Sequence, residues 1–146
     1  MYNALLSAHS GLRWLLVISL VIALIKAFSG WMGKKEYTKS DNIIALILVS
    51  FTHIMAILGI VLYFVSPKVI AMKDAMNDGV SRFWAMEHGL IMLIVVVLIT
   101  IGRVKSKKAT ENLEKHKKVA IFYTIAFVFV LWAGIIKPFL LGNGWI

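Results

Sequence analysis

The sequence predicts an all-α protein, a four-transmembrane-helix bundle running up-down-up-down with both termini outside. Three observations carry this expectation. Sixty percent of the 146 residues are hydrophobic and the mean hydropathy is +0.86, more apolar surface than a soluble domain of this length usually carries. Four apolar runs, residues 14–31, 43–65, 83–101 and 119–136, each approach the roughly 20 residues that cross a ~30 Å hydrocarbon layer as a helix. The charges sit almost entirely between those runs, as membrane loops require.

The same pattern limits function. A net charge of +9 is compatible with nucleic acid binding, but its placement between apolar runs argues for membrane loops, and no nucleic acid partner is expected. Zero cysteines exclude disulfides, iron–sulfur clusters held by cysteine and thiolate metal sites. The expected partner of all four runs is the lipid bilayer. Helices satisfy their own backbone hydrogen bonds in it without water.

One integral membrane domain is expected over 1–146, with helices at about 5–31, 42–66, 81–103 and 116–137. The first reads as a retained helix rather than a cleaved signal peptide: "AFSG" resembles a cleavage site, but no basic segment precedes the run and the lysines follow it. Ser40 and Asp41 are the expected N-cap residues of the second helix, and Pro67 ends it by removing a backbone donor. "VIAMKDAM" (69–76) fits a short interfacial helix with Val69, Met72 and Met76 toward the membrane. "NDG" breaks that piece, and Ser81 can cap the third helix. "GRVKSKKATENLEKHKK" (102–118) reads as a basic, solvated loop before the fourth helix. Short connections make neighbouring helices antiparallel. Trp14, Trp31, Trp84 and Trp145 lie near run ends, where amphipathic rings favour the interface.

Lysine and arginine set the orientation. Eleven fall on the side of the first and third loops, and five on the other, which places loops 1–2 and 3–4 in the cytoplasm. Depth then ranks the histidines. His9 lies at the outer end of the first helix, and His88 about 9 Å below Arg82 on that side. His53 lies about 16 Å from Asn42, near the midplane, where an imidazole is expected to face the bundle interior and find a partner. His116, in "EKHKK", reads as an ordinary surface histidine.

His9 and Arg13 share a helix face four residues apart, and Trp84, His88 and Met92 form a stripe on the third helix. Glu87 points away from His88 and is a candidate acceptor for Arg13 or His9. Ala56 and Gly59 offer small surface near His53, with room for a close helix or a flat ligand. Four readings follow. One is bis-histidine haem, best met by His9 and His88 with Arg13 on the propionates, His53 lying about 9 Å deeper. The second is a zinc, copper or iron site drawn from His9, His53, His88 and Glu87. The third is quinone binding or proton relay at His53. The fourth is a non-enzymatic accessory subunit whose histidines bridge helices. No "HEXXH" or nucleophile motif appears, and no catalysis beyond electron transfer is expected.

"HSGLRW" (9–14), "SFTHIMAILGIVLYF" (50–64), "FWAMEHGLIMLI" (83–94) and "LITIGRVKSKKA" (98–109) together resemble a family of small bacterial four-helix membrane proteins labelled cytochrome b or cytochrome-b-like. The resemblance covers most of the chain. It implies a b-type haem protein of the bacterial cytoplasmic (inner) membrane, with periplasmic termini, electron transport as its role, and quinone or a larger respiratory complex as partners. His9, Arg13, His53, Glu87 and His88 fall in the resembling blocks, and His116 does not.

Overall fold

The computed structural model describes residues 1–143, and among them every regular element is a helix. Trp145 lies outside the described residues. We label the helices α1 (Tyr2–Met32), α2 (Lys39–Val65), α3 (Met72–Ala75), α4 (Gly79–Lys108) and α5 (Asn112–Leu140). All but α3 are long and apolar enough to span a bilayer. Much of their apolar surface, including Ile18, Ile25, Ile57 and Leu93, points outward, as a lipid solvent allows. The chain is a multi-pass membrane protein.

The long helices contact one another in a ring: α1 packs on α2 and α5, and α4 packs on α5 and α2. Leu16, Leu20 and Ala23 of α1, Leu48 of α2, Val95 and Ile99 of α4, and Ala120, Tyr123 and Ala126 of α5 fill its centre. α5 approaches α4 closely at Gly102, where a Cβ would stand 2.7 Å from Phe122 Cβ. One end of the bundle gathers Tyr2, Ser66, Lys68 and Asn143 through side-chain hydrogen bonds. The other gathers Lys26 and Asp41, paired at 3.4 Å, with Tyr37, Arg103, Asn112 and His116.

The helix ends differ from the sequence expectation by up to about a turn and a half. Thr38 rather than Ser40 or Asp41 caps α2. Its backbone N–H donates to Asp41 Oδ2 at 2.8 Å and Asp41 N–H donates back to Thr38 Oγ1 at 3.4 Å, a reciprocal capping box. α2 stops as expected before Pro67, with Ser66 extended (φ −78°, ψ 131°) as a residue preceding proline must be. The interfacial segment forms only the single turn of α3, with Met72 and Met76 exposed. α5 starts at Asn112, so most of the expected basic loop is helical and the connection shrinks to residues 109–111.

Asp78, not Ser81, caps α4: its Oδ2 accepts from Ser81 N–H at 3.0 Å and Ser81 Oγ at 2.8 Å. The Ser81 backbone N–H is the main reason the Asp78 carboxyl titrates below its ordinary range. A carboxyl with a lowered folded pKa stabilises the fold above its unfolded pKa of about 4, and that contribution is lost as pH falls through the folded value. Thermal stability in detergent should therefore fall between pH 5 and 3 by more in the wild type than in Asp78→Asn. Equal slopes would refute the cap's role.

Candidate functional site

Two of the long helices are not regular. α4 contains a π turn at Phe83–Glu87 and α5 another at Val130–Ile136. In such a turn the N–H reaches back five residues instead of four, and a carbonyl on the widened side is released. In α4, His88 N–H bonds Phe83 O. In α5, Lys137 N–H bonds Trp132 O, and Pro138 has no N–H at all. The ordinary donors to Ala133 O and Gly134 O are thus both missing. Buried carbonyls cannot be left without partners in a bilayer, so side chains from other helices must reach them.

They do. His88 Nδ1 lies 2.9 Å from Ala133 O and donates to it, while Arg13 Nη1 donates to Gly134 O at 3.2 Å. Tyr63 of α2 donates its hydroxyl to Ala85 O at 2.9 Å, within the α4 π turn. The bond to Ala133 fixes His88 as the Nδ1–H tautomer, which leaves its Nε2 lone pair available. The His9 ring stands 6.5 Å from the His88 ring, centroid to centroid, with the planes at 68°. His9 Nδ1 is buried and has no hydrogen-bond partner among the described residues. Its Cε1 lies over Gly59, where a Cβ would touch at 3.5 Å. Phe83 and Trp84 surround His88 at 5.6 and 5.4 Å, and Arg13 stacks over Trp14 at 5.4 Å. The π turn is what brings Phe83 as well as Trp84 under the imidazole.

The expected site residues divide. His9, Arg13 and His88 come together. Glu87 does not join them: it pairs with Arg82, Nε to Oε1 at 2.8 Å, and so accepts from neither Arg13 nor His9. His53 also stands apart, and it does not face the bundle interior. It is exposed on the outer surface of α2, with Nε2 3.0 Å from Thr100 Oγ1. It sits one residue past the buried stripe of Ala45, Leu48 and Thr52, which turns its side chain about 100° off the core. Gly59 meets His9 rather than His53. Among the described residues no three His, Asp or Glu side chains gather into a metal-ligand set.

His116 reverses its expectation as well. The extension of α5 to Asn112 turns it inward, where it is 2% exposed. Its Nε2 lies 3.3 Å from Glu36 O and its ring 5.2 Å from that of Tyr37. A Cβ on Gly30 would fall 2.3 Å from the imidazole, so only glycine admits it. Burial pushes the Tyr37 hydroxyl above its ordinary range against the opposing effects of Ser106 and Arg103.

Pro138 is the sequence signal that marks the released carbonyls. Pro138→Ala would supply the N–H that competes with Arg13 for Gly134 O. In a double-mutant cycle, Arg13→Met should cost about 1–3 kcal/mol with Pro138 present and measurably less with alanine there. Unfolding in mixed micelles reads the difference, and identical costs in both backgrounds would show that the carbonyl does not depend on Arg13.

No family model, no curated protein and no solved structure matches the chain.

Proposed function

We propose that this chain is a membrane electron-transfer protein that holds a b-type haem between His9 and His88. The observation that carries the reading is the fixed His88 tautomer opposite a second half-buried imidazole. Histidine ligands usually donate their other ring N–H to a carbonyl or carboxylate, and Ala133 O is such a partner. His9 and His88, whose rings stand 6.5 Å apart centroid to centroid, would hold the haem iron through their ring nitrogens. Arg13 adds the positive charge that suits the carboxylates of a porphyrin.

Haem, when bound, supplies one-electron transfer. The chain's own residues hold the His88 imidazole through Ala133 O and Arg13 through Gly134 O, and pack Phe83 and Trp84 against His88. In this reading the helices run up-down-up-down in the bacterial inner membrane. Both termini and the histidine pair lie on the outer side, and the loops before α2 and α5 lie in the cytoplasm with eleven of the sixteen basic residues. A larger respiratory or membrane complex is the proposed electron partner.

A second reading has its own support: 6.5 Å at 68° is also an ordinary edge-to-face ring contact, and the His88–Ala133 bond by itself bridges α4 to α5. On that reading the chain is a non-enzymatic accessory subunit. Absorption spectra of protein expressed with haem supplementation, with and without dithionite, separate the two. A Soret band with reduced-minus-oxidised bands supports electron transfer. A colourless, folded protein that co-purifies in a complex overturns it in favour of the accessory role.

A further inference from the structure

A second polar cluster, at the basic end of the bundle, takes no part in the proposed haem site. Three buried atoms there have no hydrogen-bond partner among the described residues: Tyr37 Oη, Arg103 Nη1 and Tyr123 Oη. They come from the α1–α2 connection, from α4 and from α5. Tyr123 is 0% exposed. Its ring lies against α4 at Gly102, the neighbour of Arg103, where a Cβ would stand 3.1 Å from Tyr123 Cε1. Side chains on a helix lean toward its N-terminus, which carries the Tyr123 hydroxyl toward the basic end. Tyr37 and Arg103 are the two ionisable groups that act on it electrostatically. Arg103 and Ser106 in turn stand near enough to the Tyr37 hydroxyl to act on that.

We infer that Tyr37, Arg103 and Tyr123 form a binding site for a small monovalent anion of the halide class, inside the basic end of the bundle. Each of the three atoms has a proton to donate, and a buried donor without an acceptor is costly. A single water accepts from two donors and would leave the third bare. It would also leave the guanidinium charge uncompensated. Arg103 Nη2 donates to Asn42 Oδ1 at 2.6 Å, a neutral partner. Among the described residues Asp41 pairs with Lys26 and Glu87 with Arg82, and no carboxylate reaches Arg103. Asp41, the carboxylate that acts on Tyr37, is held by Thr38 as well, so its charge is already answered. Ser106 Oγ donates to Lys115 O at 3.0 Å and leaves the three donors unopposed. Packing is tight: the cavity that borders Tyr37 has about 10 Å³, the room of roughly one water-sized sphere, which favours a monatomic anion over phosphate or a carboxylate. Eleven of the sixteen basic residues lie at this end and raise the local anion concentration. The assignment stands whether or not His9 and His88 hold haem.

The test uses the full chain in lipid nanodiscs, with chloride exchanged for gluconate at constant ionic strength and the 35Cl NMR linewidth as direct readout. The protein should broaden the chloride line saturably, bromide should reverse the broadening by displacement, and the thermal midpoint should be higher in chloride than in gluconate. Tyr123→Phe keeps the buried ring and every surface charge and removes one donor to the anion, so the chloride Kd should rise about tenfold. Tyr37→Phe removes a second donor and should weaken binding in the same sense. Circular dichroism checks that both variants are folded. An unchanged Kd in either variant would overturn the assignment and leave chloride on the surface lysines, with a water at most among the three donors. Broadening without saturation, or equal midpoints in chloride and gluconate, would overturn it too.

Discussion

His88→Leu is expected to reduce haem content about tenfold or more, and His9→Leu to do the same, while His53→Leu leaves it unchanged. The asymmetry follows from position. His9 and His88 face one another across the bundle, whereas His53 is on the outer surface and already bonded to Thr100. Pyridine haemochrome analysis of the purified variants reads the result. The His88 change carries a second cost, because it removes the donor to Ala133 O. A buried carbonyl left unpaired destabilises by about 1–3 kcal/mol. His88→Asn separates the two effects: an amide N–H in place of the ring keeps a donor near Ala133 but is a poor axial ligand. Restored stability with no restored haem would assign ligation to the imidazole. Haem retained in both His9→Leu and His88→Leu would sink the proposed site.

Gly30→Ala is expected to be among the most destabilising single changes in the chain, by about 3 kcal/mol or more. The new methyl would stand 2.3 Å from a ring that is itself 2% exposed and packed against Tyr37. A rigid ring in a dense interior cannot yield by that distance without moving α1 or α5. Loss of the folded species on heating in detergent is the measurement. His116→Ala in the same chain should recover a large part of the loss, since it vacates the volume the methyl needs. No recovery would mean that the strain falls on the helix backbones rather than on the imidazole.

The four spanning helices were readable because a bilayer demands a long apolar run, and no tertiary contact is needed to produce one. The stop at Pro67 was readable for the same local reason. Cap positions were not, since Thr38, Ser40 and Asp41 are all competent and only the reciprocal Thr38–Asp41 bonding decides among them. His116 was concealed by its neighbours: "EKHKK" looks solvated, yet His116, Val119, Ala120, Tyr123 and Ala126 share one face at helical spacing and are all buried. The inward period extended a full turn past the last apolar residue. His53 failed in the opposite sense, because depth along a helix is set by counting but direction around it is set by packing. Of the candidate site, the nearness of His9, Arg13 and His88 followed from their common depth at one end. The widened turns that anchor His88 and Arg13 did not follow, because a π turn is chosen by contacts between helices rather than by the residues within it.

Those widened turns also bear on how the chain is assembled. Gly134 O has no i+4 helical donor, because Pro138 cannot supply one. A helix bearing such a carbonyl is a poor solitary resident of hydrocarbon. Its two remedies, Arg13 and His88, lie in segments that leave the ribosome first, so the defect is made only after the groups that repair it are in place. A circular permutation that put α5 at the front would reverse that order and leave the bare carbonyls waiting in lipid for partners not yet synthesised.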